Sequence, residues 1–268
     1  MRILFIGDIV GKPGRRAVRE LLPGIVCDKL IDIVIANGEN AAGGFGLTRE
    51  VVEELFQNGI HVLTSGNHVW DKKETESFIN DYDALLRPAN YPEGVPGHGS
   101  TISRTPAGIN VGIINLMGRV FMFPIDNPFR RAEQEILAMR GKADVILVDF
   151  HAEATSEKEA LGRFLDGRVS AVLGTHTHVQ TADEQVFPGG TAYITDAGMT
   201  GPFDSIIGIS IERALGRFLT AIPQKFDVAR QDVRLQGVIV DVDEQTGGSR
   251  GIERISLRLE ERSGGRRV

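Results

Sequence analysis

The chain has 268 residues, which suits one large domain or two small ones with a sizeable core. Its net charge of −6 argues against a general nucleic-acid binder, which carries a basic excess. It leaves a small anionic substrate open, because a metal site brings its own positive charge. A single cysteine excludes an internal disulfide and fits a reducing cytoplasm.

In chain order, ILFIG (3–7) is an apolar run that ends on the charge of Asp8. It is too short for a signal peptide or membrane span, so a soluble, cytoplasmic protein with no membrane partner is expected. Runs of this kind read as strands buried on both faces. Val18, Leu21, Leu22, Ile25 and Val26 then mark a helix face, in which Pro23 is expected to cause a kink or a break. Cys27, beside that stripe, is expected in the core and not as a nucleophile. IDIVIANG (31–38) is a second strand, ending at Glu39 and Asn40. Thr48 is the expected N-cap of a helix carrying Val51, Val52, Leu55 and Phe56. HVLTSG (61–66) ends at Asn67 and His68, and His61, at its other end, is read as structural. Asp71 is expected to cap a polar helix reaching about Asn80.

Further on, residues 100–116 read as a hairpin around a Pro-Ala-Gly turn. Ala132, Ile136 and Met139 suggest a helix. DVILVDF (144–150) ends at His151. Ser156 and Glu159 have the spacing of a capping box before Leu161, Phe164 and Leu165. SAVLGT (170–175) ends at His176, with His178 two places on. Ile211, Leu215 and Leu219 mark a late helix that Pro223 ends, and residues 236–260 read as a second hairpin. So many antiparallel strands do not suit a simple doubly wound sheet. The expectation is one domain over 1–268, with two sheets face to face, helices on both outsides, and a frayed tail at 262–268.

The strand ends carry the chemistry. In open α/β sheets ligands sit outside the carboxyl ends of the strands. Those ends hold Asp8, Glu39 with Asn40, Asn67 with His68, His151, and His176 with His178. Singly, each has an ordinary explanation: a turn aspartate, a solvated loop glutamate, a hydrogen-bonded histidine. Together they form a set of carboxylates, imidazoles and amides typical of a metal site, and only His61 and His98 among the six histidines fall outside it. His98, in GVPGHGS, is a weak candidate for substrate contact; Lys12, Arg15 and Arg16 near the first strand end are read as solvated by default. The loop GMTGPFDSIIG (198–208) is placed at the site or at a subunit interface. GDIVGKPG is no phosphate loop: it is one residue short between glycines and has Pro13 where Ser or Thr should stand.

The order of these motifs resembles the calcineurin-like metallophosphoesterases. GDIVGKPGR, ANGENAAGGFGLT, SGNHVWD and GTHTHVQTAD together look like the YmdB-like branch of that superfamily, over residue 1 to about 260. The chain departs from the superfamily's usual Asp-x-His at Asp8-Ile9-Val10, and Glu39 stands where a bridging Asp is usual. The resemblance implies an α/β fold, a four-layer α/β/β/α sandwich of two mixed sheets. It also implies a dinuclear centre of iron or manganese, with zinc and magnesium left open by the ligand types. Asp8, Glu39, Asn40 and His178 would hold one metal; Glu39, Asn67, His151 and His176 the other, with Glu39 bridging. His68 would be the proton donor. The implied activity is a phosphodiesterase using in-line attack by a metal-bound hydroxide. Its substrates would be small phosphodiesters, 2′,3′-cyclic nucleotides and by extension 3′,5′-cyclic AMP, and not a specific nucleic-acid sequence. Self-association into a homo-oligomer is implied too. Competing readings are a metal-dependent phosphomonoesterase or nucleotidase on the same centre, and a regulatory nucleotide-binding protein with weak turnover.

Overall fold

The computed structural model describes residues 1–260; the expected frayed tail at 262–268 lies outside them. The elements are β1 (Arg2–Ile6), β2 (Asp8–Ile9), α1 (Gly11–Lys29), β3 (Ile33–Asn37), α2 (Arg49–Gln57), β4 (Val62–Thr64) and α3 (Thr75–Phe78). There follow β5 (Ser100–Arg104), β6 (Asn110–Met117), α4 (Pro128–Met139), β7 (Val145–His151), α5 (Thr155–Phe164) and β8 (Ala171–Thr175). The described chain is completed by β9 (Gln185–Val186), β10 (Ala192–Ile194), β11 (Met199–Pro202), α6 (Ile211–Thr220), β12 (Val233–Val242) and β13 (Ser249–Arg258).

Two mixed sheets result. One has the order β2-β11-β12-β1-β3-β4, with β13 also paired to β12; the other runs β5-β6-β7-β8-β10-β9. In the first, β1, β3 and β4 are parallel while β12 is antiparallel to β1. In the second, β6, β7, β8 and β10 are parallel, and the β5–β6 hairpin pairs Ser100 with Ile114.

Side-chain alternation along the strands builds the layers. Ile3, Phe5, Ile33 and Ile35 meet Ile113, Leu147, Leu173 and Ile194 between the sheets. The alternate residues Leu4, Ile6, Val34 and Ala36 turn outward under Val18 and Leu22 of α1 and Val52 and Leu55 of α2. On the other side Ile114, Leu116, Val148 and Phe150 pack with Ala132, Met139 and Leu161 of α4 and α5. The fold is therefore a four-layer α/β/β/α sandwich. Both faces of each sheet are covered, which is why the central strands are apolar throughout.

Several local expectations need correction. Pro23 does not divide α1, which runs on to Lys29. The proline faces solvent, where water can serve the carbonyl it leaves unpaired. Cys27 is exposed, not core, because it lies two positions past the buried Ile25, roughly 200° around the helix. The polar helix from Asp71 to Asn80 is reduced to α3 and a 3₁₀ turn at Ile79–Asp81, and the Asp71 carboxylate instead meets the His68 ring. No capping box opens α5. Its N-cap is Ala154 without a side-chain bond, and Glu157 turns inward to accept the Arg119 and Val120 amides. Among the described residues no helix is long and apolar enough to cross a membrane.

Candidate metal centre

The donor residues come from both sheets. Asp8 follows β1, Glu39 and Asn40 follow β3, and Asn67 and His68 follow β4, all on parallel strands of the first sheet. His151 closes β7, and His176 and His178 follow β8, on parallel strands of the second. The strand ends thus face one another across the sandwich.

His151 lies at the middle. Its Nε2 is 3.0 Å from Glu39 Oε1, 3.0 Å from Asn67 Oδ1 and 3.0 Å from His176 Nδ1. Donor atoms of Glu39, His151 and His176 all lie within 4.8 Å of one another. A second grouping adjoins it. His178 Nε2 is 3.2 Å from the Asn40 amide and 3.9 Å from Asp8 Oδ1, and the Asn40 amide is 3.2 Å from Glu39 Oε1. Glu39 therefore touches both groupings. Turning the Asn40 amide about would offer its oxygen at the same place.

The hydrogen-bond network sets the tautomers. His178 Nδ1 donates to the Ile207 carbonyl oxygen at 2.9 Å, so its Nε2 lone pair faces Asn40 and Asp8. This places the loop after Met199 against the site. His176 Nε2 lies 3.1 Å from Glu153 Oε2, leaving Nδ1 inward. Thr175 donates its hydroxyl to Asp149 at 2.7 Å and lies 3.0 Å from His151 Nδ1, so that nitrogen donates and Nε2 turns inward. Three imidazoles thus turn one ring nitrogen toward these two adjoining groupings and anchor the other on outer acceptors, the usual support of metal-binding histidines. Among the described residues, Asp8 Oδ1 is buried without a hydrogen-bond partner. An orphaned buried carboxylate oxygen is costly unless a cation meets it. The residues present fit a metal.

Charge balance points the same way. Burial would raise the Glu39 carboxyl, but the charge and hydrogen bond of His151 and the proximity of His68 outweigh it and hold Glu39 at about 2. Burial lowers the His151 imidazole, yet Glu39, Asp8 and Asp149 around it lift it to about 9. The carboxylates around His151 thus favour positive charge at this place. Burial, then the neighbouring His151, pushes His176 down to about 3. Asp8 is raised, chiefly by burial.

Sequence reasoning missed the residues behind His151. Asn37 is fully buried, donates to Asp149 Oδ2 at 3.2 Å, and accepts the Glu39 amide at 3.1 Å. Asp149 is fully buried too, and burial lifts it to about 7. The signal was present: a polar residue inside an otherwise apolar, doubly covered strand requires a partner.

His68 lies at the rim. Its amide donates to Glu39 Oε2 at 3.0 Å, its Nδ1 is 2.8 Å from Asp71, and Phe45 packs against the ring at 5.1 Å. His98 is not drawn in. It pairs with Asp83 at 3.5 Å on the surface, and no bond or ion pair among the described residues links it to the cluster. Arg15 braces the loop after Glu39, bonding the Ala41 carbonyl oxygen at 2.6 Å and Glu54 at 2.7 Å. His61 Nδ1 accepts the Val34 amide at 3.1 Å, away from the site.

The family model described as YmdB-like protein matches residues 4–255. The chain belongs to the YmdB-like family. It is 52% identical, over 96% of this chain and 97% of the relative, to the 2′,3′-cyclic-nucleotide 2′-phosphodiesterase of Bacillus subtilis strain 168. It is 38% identical to a putative phosphatase/phosphodiesterase of Mycoplasma genitalium, covering 97% of this chain and 94% of that one. Among solved structures, a hypothetical protein from Thermus thermophilus superposes with a TM-score of 0.91 at 45% identity, over 97% and 100% of the two chains. A Mycoplasma pneumoniae protein described as a novel phosphatase gives 0.90 at 35%, over 96% and 93%.

Proposed function

We propose that this chain is a metal-dependent phosphodiesterase acting on 2′,3′-cyclic nucleotides, with 3′,5′-cyclic AMP as a further substrate, through a dinuclear centre of iron or manganese. It would act as one domain in the cytoplasm. The carrying observation is the convergence of Glu39, His151 and His176 beside the orphaned Asp8 oxygen, in a chain 52% identical to a named cyclic-nucleotide phosphodiesterase.

Asp8, Asn40 and His178 would hold one cation and Asn67, His151 and His176 the other, with Glu39 between them. A bound pair of cations supplies Lewis-acid stabilisation of the phosphate and lowers the pKa of water. The protein supplies the rest. Glu39, held ionised, keeps the two groupings at a fixed separation. Asn40 and Asn67 contribute neutral oxygens, which avoids adding negative charge where an anionic phosphate must bind. With Nδ1 engaged by Asp71, His68 has Nε2 available to protonate the leaving alkoxide. The apolar stripe of α6, with Phe218 at 78% and Leu219 at 82% exposure, supports self-association.

Hydrolysis of a 2′,3′-cyclic nucleotide, with and without chelator, tests the assignment. Glu39→Gln is expected to abolish turnover and metal retention, while His68→Ala keeps the metals and slows turnover by about 10²–10⁴-fold. Full activity in Glu39→Gln would refute the bridging role. Two relatives are named as phosphatases or as phosphatase/phosphodiesterases, so a phosphomonoester belongs in the same assay. Faster hydrolysis of the monoester would favour a nucleotidase.

A further inference from the structure

The turn carrying His176 and His178 is gripped from behind by an ion pair that holds no place among the metal-type residues. Lys158, on α5, and Asp196, just past β10, are both fully buried, with Lys158 Nζ 2.9 Å from Asp196 Oδ2. The same oxygen accepts the Thr177 amide at 3.0 Å and the Thr177 hydroxyl at 2.8 Å. The other oxygen, Oδ1, accepts the Gly198 amide at 2.9 Å. Thr177 is the residue between the two histidines.

Both flanking histidines have positive φ, 104° at His176 and 65° at His178. Side chains other than glycine rarely adopt this region, and such backbone persists only where its surroundings over-determine it. Here the effect is to send the rings apart: His176 to His151 and Glu153, His178 to Asn40 and Ile207. Asp196 also reaches the opposite sheet. Its bonded neighbour Gly198 lies so close to Gly7 that a Cβ on Gly7 would stand 2.0 Å from the Gly198 carbonyl oxygen. Gly7 precedes Asp8, whose Oδ2 accepts the His176 amide at 3.1 Å. One carboxylate thus ties the turn of the second sheet to the strand end of the first. A buried ion pair is weak as a stabiliser, because desolvation offsets the attraction. Its geometric hold on Thr177 is the more specific consequence.

We propose that Lys158 and Asp196 are positioning residues: by clamping Thr177 they fix the divergence of His176 and His178, and so the separation of the two cations. This rests on the reading that each histidine serves a different cation. Asp196→Asn would strand the Lys158 charge and endanger folding, so Thr177 is the better probe. Thr177→Val removes one bond to the clamp and keeps the ion pair.

The measurement is calorimetric titration of chelator-treated protein with Mn²⁺, together with the exchange-coupled paramagnetic resonance spectrum of the loaded protein. Wild type is expected to take up two ions with a coupled spectrum. Thr177→Val is expected to melt like wild type, to lose about 10- to 100-fold in Mn²⁺ affinity, and to change the coupled spectrum. Thr177→Ser, which restores the hydroxyl, should recover both. Two ions at wild-type affinity with an unchanged spectrum in Thr177→Val would overturn the positioning role and leave the dinuclear reading standing. Fewer than two ions on wild type would overturn the dinuclear reading and this proposal with it. Thr177→Ala is the second variant, which adds no bulk. If Thr177→Val and Thr177→Ala both melt more than about 5 °C below wild type, the clamp supports the whole fold and the proposal fails.

Discussion

His151 shows how little freedom the centre leaves to a single side chain. Its ring is fully buried, its Nδ1 is taken by Thr175, and Gly66 closes off one side. A Cβ on Gly66 would lie 2.1 Å from His151 Cδ2 and 2.3 Å from Nε2. Gly66→Ala must therefore displace the imidazole. We expect about 1–3 kcal/mol of destabilisation from the overpacking, and retained metal per protein well below wild type. Thermal melting and metal analysis check the two effects separately. Wild-type metal content in Gly66→Ala would mean that His151 is not a ligand. That Gly66 makes room for an imidazole from the other sheet was not legible in the sequence, because the close approach involves residues far apart in the chain.

At the scale of elements, α6 is the informative case. Its apolar residues Ile211, Leu215, Phe218 and Leu219 follow helical spacing, and the helix forms over Ile211–Thr220 as that spacing predicts. The stripe nevertheless faces solvent: of the helix, only Ala214 is buried. Large exposed apolar faces mark association surfaces more often than free ones. If copies of the chain meet through α6, Leu219→Glu should lower the mass read by light scattering without lowering the melting temperature. An unchanged mass would separate α6 from any assembly. The same spacing rule located α1 and α4 but could not set the fate of individual positions. Pro23 is harmless because it faces water, and Cys27 is exposed because the buried face ends before it.

For the whole molecule, the candidate centre lies where two sheets meet, beside an apolar layer and a few buried polar contacts such as Asn37 with Asp149 and Ser65 with Asn115. Cations held by residues of both sheets would bind the folded state and not the unfolded chain. An ion present at about 100 times its dissociation constant then adds about 2.7 kcal/mol of stability, or very roughly 5–10 °C in Tm for a domain of this size. Chelator should lower Tm by that order in wild type and have far less effect in Glu39→Gln. An equal Tm with and without chelator in wild type would mean that metal does not bridge the sheets.

Local pattern alone located the long apolar strands, most helices, both hairpins and the polar residue at each of those strand ends, while the short β9 and β10 went unread and β11 lies inside the segment 198–208 read as a loop. Burial on two faces writes continuous apolar runs, and a run must stop where a polar side chain is placed. Pattern could not say that those ends divide between two sheets and meet across them. Nor could it show that Asp149, Asn37 and Thr175 stand behind His151, or that Lys158 and Asp196 hold Thr177. Those pairings join residues far apart in the chain, and a buried polar residue declares in sequence that it needs a partner without naming which one. Only the folding of both sheets into one sandwich supplies it.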